Sequence, residues 1–247
     1  MRFEAAFKTD IGRKRQQNQD SGVALPELGL FVVADGMGGH RGGETASAMA
    51  AEIIPRTVRE GQAQNSAWDP RAVIQRAIRD ASSQIFDRSV KQPQLQGMGT
   101  TAVALLFKDD KLAIGHVGDS RCYYLTQGAL WQLTRDHSLV QEKLRAGLIT
   151  RDQLKTDRMK NVITRSVGFE SQVEVDVYEM NVQPGDTFLL CSDGLSGLLD
   201  DPAILEQVEK GLFHEAGSIE KTVESLVDGA NKNGGDDNIT AIVVRVL

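Results

Sequence analysis

Four times in this chain an apolar stretch meets aspartate beside glycine or asparagine. The segments are Val32-Val33-Ala34-Asp35-Gly36, His116-Val117-Gly118-Asp119-Ser120, Leu189-Leu190-Cys191-Ser192-Asp193-Gly194, and Gly234-Gly235-Asp236-Asp237-Asn238, the last leading into a strand. Asp20, in Asn18-Gln19-Asp20, precedes another predicted strand and makes a fifth. One Asp-Gly pair is ordinary turn chemistry. Five carboxylates, each set against a strongly apolar strand, are harder to dismiss, because a buried carboxylate without a partner is costly. Each needs a cation, a hydrogen-bond donor or water.

The segment around Asp35 is the most constrained. An apolar run, Leu30 to Ala34, reads as a buried strand, and five of the eight residues from Gly36 to Gly43 are glycine. Backbone there can adopt dihedrals that a Cβ forbids. A helix is predicted to start near Thr45, with an apolar stripe at Ala46, Met49, Ala50, Ile53, Ile54 and Val58. Before it, residues 2–8 read as a strand, 9–20 as a polar loop, and 21–25 and 30–35 as strands. A second helix opens at Asp69-Pro70, with Asp as N-cap and Pro as first helical residue.

Strands follow at 100–108, 111–117, 121–126 and 129–134, with turns at Asp109-Asp110 and Gln127-Gly128. Connections this short impose antiparallel hairpins. Residues 138–170 are mixed and polar, with a short helix ending at Gly147 and another after Thr150. Strand alternation returns at Val173, Val175 and Val177, and Pro184-Gly185 turns into a strand at 188–192. Helices near 201–210 and 218–232 and a strand at 238–246 close the chain. Helices therefore come in pairs between runs of antiparallel strands, which predicts an α+β layered fold and argues against a doubly wound one.

At 247 residues the chain has room for one large domain or two small ones, and no composition break marks a linker. The net charge of 28 − 34 = −6 argues against nucleic acid or an anionic membrane as main partner. Only two cysteines occur, Cys122 and Cys191, without metal-ligand spacing, which predicts a reducing cytoplasm. The first residues carry no signal-peptide core, and no stretch approaches a membrane helix of ~20 apolar residues.

Carboxylates with a backbone carbonyl beside glycine are ligands for hard cations such as Mg²⁺ or Mn²⁺. Zinc fits poorly, since His40, His116, His137 and His214 are scattered. Two hard ions on shared carboxylates are a recurring phosphoryl-transfer device. Rival phosphate chemistries fail on particular residues. Glu44 stands where a P-loop has lysine, and Arg41 where a dinucleotide fingerprint has its third glycine. Gly128 and Gly197 stand where a cysteine phosphatase would place its arginine after Cys122 or Cys191. No Asp-x-Asp occurs, which removes the aspartyl-phosphate hydrolases, and Gly118-Asp119-Ser120 lacks the histidine of calcineurin-like metallophosphatases.

With these motifs in place, the chain resembles the metal-dependent protein phosphatases called PP2C, in their compact bacterial form. The resemblance rests on Gly12-x-x-Arg15-x-x-Asn18-Gln19-Asp20, Asp35-Gly-Met-Gly-Gly-His40, Gly99-Thr100-Thr101, Gly118-Asp119-Ser120-Arg121, Asp136-His137-Ser138, Asn161-x-x-Thr164-Arg165, Ser192-Asp193-Gly194 and Asp237-Asn238, in the family's order. It implies one domain over 1–247, a sandwich of two antiparallel sheets flanked by helix pairs, with a mobile flap at about 139–170. It implies that Asp35 bridges two Mn²⁺ or Mg²⁺ ions, with the Gly36 carbonyl and Asp20 around one and Asp193 and Asp237 around the other. Asp119 is similar to the ligand of a third ion, sharing Asp193, and Arg15 to the residue that binds substrate phosphate.

The implied activity is hydrolysis of phosphoserine and phosphothreonine by a hydroxide bridging the two metals. Asp35, Asp193 and Arg15 are the expected catalytic residues, and substrates of a Ser/Thr kinase the expected partners of a monomeric enzyme. An inactive phosphatase-like binding module is the alternative, opposed by the presence of every acidic ligand and of Arg15. A small-molecule phosphomonoesterase would share the chemistry. Two residues depart from the family: Met37 replaces the histidine of Asp-Gly-His, leaving His40 as candidate general acid or as a structural residue of the glycine loop, and the flap lacks a histidine before Asn161.

Overall fold

The computed structural model describes every residue except 65, 127, 155 and 214–216, and the backbone alone at 39–41 and 213. The strands are β1 (Phe3–Asp10), β2 (Asp20–Leu25), β3 (Leu30–Met37), β4 (Gly99–Thr100), β5 (Ala102–Lys108), β6 (Lys111–Val117), β7 (Arg121–Thr126), β8 (Ala129–Gln132), β9 (Asp176–Asn181), β10 (Thr187–Cys191) and β11 (Ile239–Val246). The helices are α1 (Gly39–Gln64), α2 (Pro70–Lys91), α3 (Leu139–Arg145), α4 (Asp193–Ser196), α5 (Asp201–Phe213) and α6 (Ile219–Lys232).

One sheet runs in the order β1-β11-β10-β7-β8 and the other β2-β3-β5-β6-β9, with β4 paired to β3. Neighbouring strands pair antiparallel throughout. The period-2 alternation of a strand explains the layering. In β3, Leu30, Val32 and Ala34 point to the side covered by α1 and α2, and Phe31 and Val33 to the opposite sheet. In β10, Leu189 and Cys191 face the α5–α6 layer, while Phe188 and Leu190 enter the space between sheets. The central strands of both sheets are buried on both faces and so read as unbroken apolar runs, whereas the edge strands β1, β8 and β9 are partly exposed. The α+β sandwich with flanking helix pairs is the architecture expected from the sequence.

Several boundaries differ. Helix α1 begins at Gly39, well before Thr45, and β3 continues through Gly36 and Met37, which pair with Thr100 and Gly99. The chain turns at Gly38, φ +116°, where a Cβ would lie 2.8 Å from the Met98 Cα. The helix then lies so close on the strand that a Cβ on Gly43 would come within 2.6 Å of the Gly36 carbonyl oxygen. Packing thus makes helix from glycines that local propensity disfavours.

The strand expected at 173–177 forms only from Asp176, pairing with β6. Val173 and Val175 are buried against the α1–α2 layer without joining the ladder, so their alternation reported burial alone. The helix expected after Thr150 is a 3₁₀ turn, Arg151–Gln153, and β8 stops at Gln132, short of residue 134. Asp193 does not end a strand; it opens α4. The turn expected at Gln127 lies outside the described residues.

Phe188 is fully buried between the sheets, stacked on Tyr124 and edge-on to Phe107. Phe188→Ala should lower unfolding free energy by about 3–5 kcal/mol through lost burial and a cavity. Urea unfolding with chelator should show a lower midpoint at unchanged slope.

Candidate active site

The site lies at one end of the sandwich, where both sheets contribute. From the six-stranded layer come Asp20 and Asp35, opposite one another across β2 and β3. Asp193 and Asp237 follow β10 and precede β11 of the other sheet, and Asp119 lies in the crossing from β6 to β7. Asp35, Gly36, Asp119, Asp193, Asp237 and Arg15 line one cleft of ≈ 620 Å³, with Asn161 and Ile163 of the flap segment on its rim. Asp20 is buried behind that floor.

The loop carrying Arg15 is held by Asn238. Its Nδ2 donates to the carbonyls of Ile11 (3.0 Å) and Gln17 (2.9 Å), and its Oδ1 accepts from the Gln19 amide at 2.8 Å. One amide side chain therefore joins β11 to both ends of the loop. Asp20 Oδ2 accepts from the Ser192 hydroxyl at 2.8 Å, and Ser192 Oγ accepts from the Thr240 amide at 3.0 Å. Asp35 is fixed through its backbone. Its amide donates to Thr101 Oγ1 at 2.9 Å, and its carbonyl accepts from the Thr101 amide (2.8 Å) and the Thr100 hydroxyl (2.9 Å). Thr101 Oγ1 shares a 2.7 Å hydrogen bond with Ser120 Oγ, which ties the Asp35 and Asp119 loops together.

Close backbone approach explains the glycine after Asp193. A Cβ on Gly194 would lie 1.9 Å from the Asn238 carbonyl oxygen. Arg15 Nη2 donates to Asp237 Oδ2 at 2.6 Å, in a pair about half exposed on the arginine side. Asp237 Oδ1 accepts from the Asn238 amide at 2.8 Å.

The carboxylates repel one another. Burial, then Asp20 and Asp193, then Asp119 and Asp237, push the Asp35 pKa well above the usual range. Burial followed by Asp193 and Asp136 lifts Asp119 to about 8, and burial is the main cause that lifts Asp20 to about 6. Asp193 is raised by burial and by Asp237. Asp20 Oδ1 and Asp193 Oδ1 are buried without hydrogen-bond partners.

Hard oxygen donors with orphaned oxygens and unbalanced negative charge fit divalent cations of the Mg²⁺/Mn²⁺ kind. Among the described residues no group of three or more His, Cys, Asp or Glu side chains stands in a geometry that could hold a metal ion, and Arg15 occupies one oxygen of Asp237.

The cleft brings together Asp35, Asp119, Asp193, Asp237 and Arg15 of the residues singled out in the sequence, with Asp20 buried behind them. The His40 side chain lies outside those described, and Met37 lines the cleft. Thr101, Ser120 and Ser192 as clamps, and Asn238 as the joint of the Arg15 loop, were not assigned these tasks from sequence. For Ser120, Ser192 and Asn238 the available signal was a polar residue next to an Asp; Thr101 has no Asp beside it in the sequence.

Residues 12–239 match the family described as Protein phosphatase 2C. The chain is 37% identical over 246 residues to the serine/threonine phosphatase Stp of Listeria monocytogenes serotype 4b, covering 98% of this chain and 96% of that relative. The structure of the Mycobacterium tuberculosis serine/threonine phosphatase PstP/Ppp superposes with a TM-score of 0.90 at 32% identity, covering 100% of this chain and 99% of that one. A catalytic-domain structure of PstP in complex with two manganese ions gives 0.86 at 33% identity, covering 99% and 98%. These matches define a metallophosphatase fold. The chain belongs to the protein phosphatase 2C family.

The raised carboxyls fix the sign of a pH effect. A carboxyl whose folded pKa exceeds its unfolded value binds more protons when folded, so its contribution to stability is lost as pH rises. Buried His116 and His137, with lowered pKa values, act oppositely, but only up to their unfolded value of 6.5. Between about pH 7 and about pH 8.5, therefore, the chelated protein should lose Tm as Asp119 ionises, and Asp119→Asn should flatten that slope. Mn²⁺ should stabilise more at the higher pH, because its ligands must shed protons. Thermal melts with chelator and with Mn²⁺ at both pH values test this, and an Mn²⁺ effect that shrinks with rising pH would refute it.

Proposed function

We infer that this chain is a metal-dependent serine/threonine protein phosphatase that hydrolyses phosphoserine and phosphothreonine esters by direct attack of water, with no phosphoenzyme. We propose that Asp20, Asp35 with the Gly36 carbonyl, Asp193 and Asp237 hold two Mn²⁺ or Mg²⁺ ions, and that Asp119 with Asp193 holds a third. The observation that carries this reading is the convergence of carboxylates from separate segments on one cleft, with the Asp35 pKa raised by burial and by its acidic neighbours and with orphaned oxygens on Asp20 and Asp193.

When bound, such ions lower the pKa of water and neutralise charge on the phosphoryl group. The chain's own residues supply position. Burial and then Asp20 and Asp193 raise the Asp35 pKa, which supports Asp35 as the shared ligand. Arg15 brings a guanidinium to the cleft, able to grip two phosphate oxygens at once. It pairs with Asp237, and would be free for phosphate if Asp237 held a cation instead.

The leaving alkoxide needs a proton. Met37 has none to give, and we assign the donor to water held near Asp119. Thiols take no part: burial pushes Cys122 far up and Cys191 to about 12, and neither lines the cleft.

We place 1–247 as one catalytic unit, a cytoplasmic monomer acting in signalling on the substrates of a Ser/Thr kinase. A net charge of −6 disfavours nucleic acid or anionic lipid as partner. No helix among the described residues is long and apolar enough to cross a membrane.

Hydrolysis of a phosphopeptide and of p-nitrophenyl phosphate should require Mn²⁺ or Mg²⁺ and stop with chelator; metal-independent turnover would defeat the assignment. Arg15→Ala should raise KM for phosphopeptide roughly tenfold, the loss of a charge-assisted contact of about 1.5 kcal/mol at a half-exposed site. Its metal binding should persist in calorimetry.

Asp35→Ala should abolish the two-ion centre, while Asp119→Ala should lose one ion and retain two. Because p-nitrophenolate leaves without needing a proton, Asp119→Ala should slow phosphopeptide turnover more than p-nitrophenyl phosphate turnover. Equal losses on both substrates would remove the proton-donor role of the Asp119 site.

A further inference from the structure

The Gly118–Ser120 loop is gripped by two imidazoles that no step above uses. His116 and His137 are buried and stack with ring centroids 4.8 Å apart, planes 30° from parallel. His137 Nδ1 accepts from the Gly118 amide at 3.0 Å, and the His137 amide donates to the Gly118 carbonyl at 2.8 Å. On the far side of Asp119, the Ser120 carbonyl accepts from His116 Nε2 at 3.0 Å. Gly118 has φ +106°, and a Cβ there would come within 2.6 Å of the Thr101 side chain, so the loop admits little adjustment.

The network assigns the His137 tautomer. A backbone N–H can only donate, so Nδ1 carries the lone pair and the ring proton sits on Nε2. From there it donates to Asp176 Oδ2 at 3.3 Å. Asp176 Oδ1 accepts from Arg165 Nη1 at 2.7 Å, which fixes the carboxylate that orients the ring. Arg165 Nη1 also stands 3.1 Å from His137 Nε2, where its charge opposes a second proton on the ring. An imidazolium would turn an N–H toward the Gly118 N–H and break the grip. Burial and then Arg165 lower the His137 pKa, in the same sense.

The geometry points to His137 as a positioning residue for Asp119: its Nδ1 holds the Gly118 amide while Asp176 orients the ring, and together they aim the Asp119 carboxylate into the cleft. Outer partners that orient a metal ligand in this way are commonly worth as much to the site as a weaker ligand. This inference rests on the assignment of Asp119 to a cation.

Two near-isosteric substitutions separate the two ends of the ring. In His137→Asn the amide oxygen can stand near the Nδ1 position and accept from Gly118. In His137→Gln the amide lies near the Nε2 position, reaches Asp176 and leaves the Gly118 amide without an acceptor. Mn²⁺ titration by calorimetry on both variants and on Asp119→Ala should give ion stoichiometry and the affinity of the weakest site.

His137→Gln should weaken that site roughly tenfold to a hundredfold while the tighter ions stay. His137→Asn should keep it. Amide exchange at Gly118, followed by NMR, should be fast in His137→Gln and slow in His137→Asn and the unmodified chain. If His137→Gln does not fold, His137→Ala takes its place with the same expected loss. Equal ion affinity in the Asn and Gln variants, whether both keep or both lose the site, overturns the inference while leaving the Asp119 assignment standing. Retention of every ion by Asp119→Ala instead overturns that assignment, and the inference with it.

Discussion

Burial of Asp20, Asp35, Asp119 and Asp193 side by side, with repulsion from neighbouring aspartates, is the constraint on which the rest of the molecule depends. Four carboxyls raised by burial and by neighbouring aspartates are unfavourable in a folded chain at neutral pH. A structure can tolerate them only where the surroundings hold each in place against its neighbours. Rigidity comes from the central strands of the two sheets, buried on both faces, so that displacing one of their ends disturbs both an outer and an inner core.

A second kind of contact works nearer the site. Thr101, Ser120, Ser192 and Asn238 are buried polar residues whose hydrogen bonds run mostly to backbone groups beside the aspartates. Their task differs from that of the core. The core sets where the strand ends lie; these residues set the peptide planes that carry the carboxylates. Glycine completes the arrangement, because Gly36 and Gly194 let a second backbone pass closer than a side chain permits, with a built Cβ within 2.0 Å and 1.9 Å of a carbonyl oxygen.

Much of this was legible in the sequence. Short links between apolar runs showed antiparallel hairpins, the 3.6-residue stripes showed paired helices, and Asp at the ends of apolar runs marked the cleft. What was hidden follows from one cause: local pattern reports burial and does not report the partner. Val173 and Val175 alternate like a strand because α1 and α2 cover them, not because they pair. Gly39 to Gly43 lie in a helix that composition disfavours, since β3 needs that close approach. His116 lies in an apolar run and is buried, but its Nε2 bond to Ser120 depends on a turn four residues away that only the fold reveals.

The site also joins the two layers, which links catalysis to architecture. Asp20 and Asp35 belong to one sheet, Asp193 and Asp237 flank strands of the other, and Asp119 lies on the crossing between them. At this end the sheets are connected by Ser192 to Asp20, by Asn238 to Gln19 and by Thr101 to Ser120. A divalent ion shared by Asp35 and Asp193 would add a stronger link along the same line. Folding free energy and ion-binding free energy are then coupled, as they are wherever ligands from separate segments meet only in the native state. Loosening the clamp residues to make the site more adaptable would part the sheets where the charges already push them apart. Adaptability is better placed in the segment bearing Asn161 and Ile163, which lines the cleft without supplying any of the repelling carboxylates.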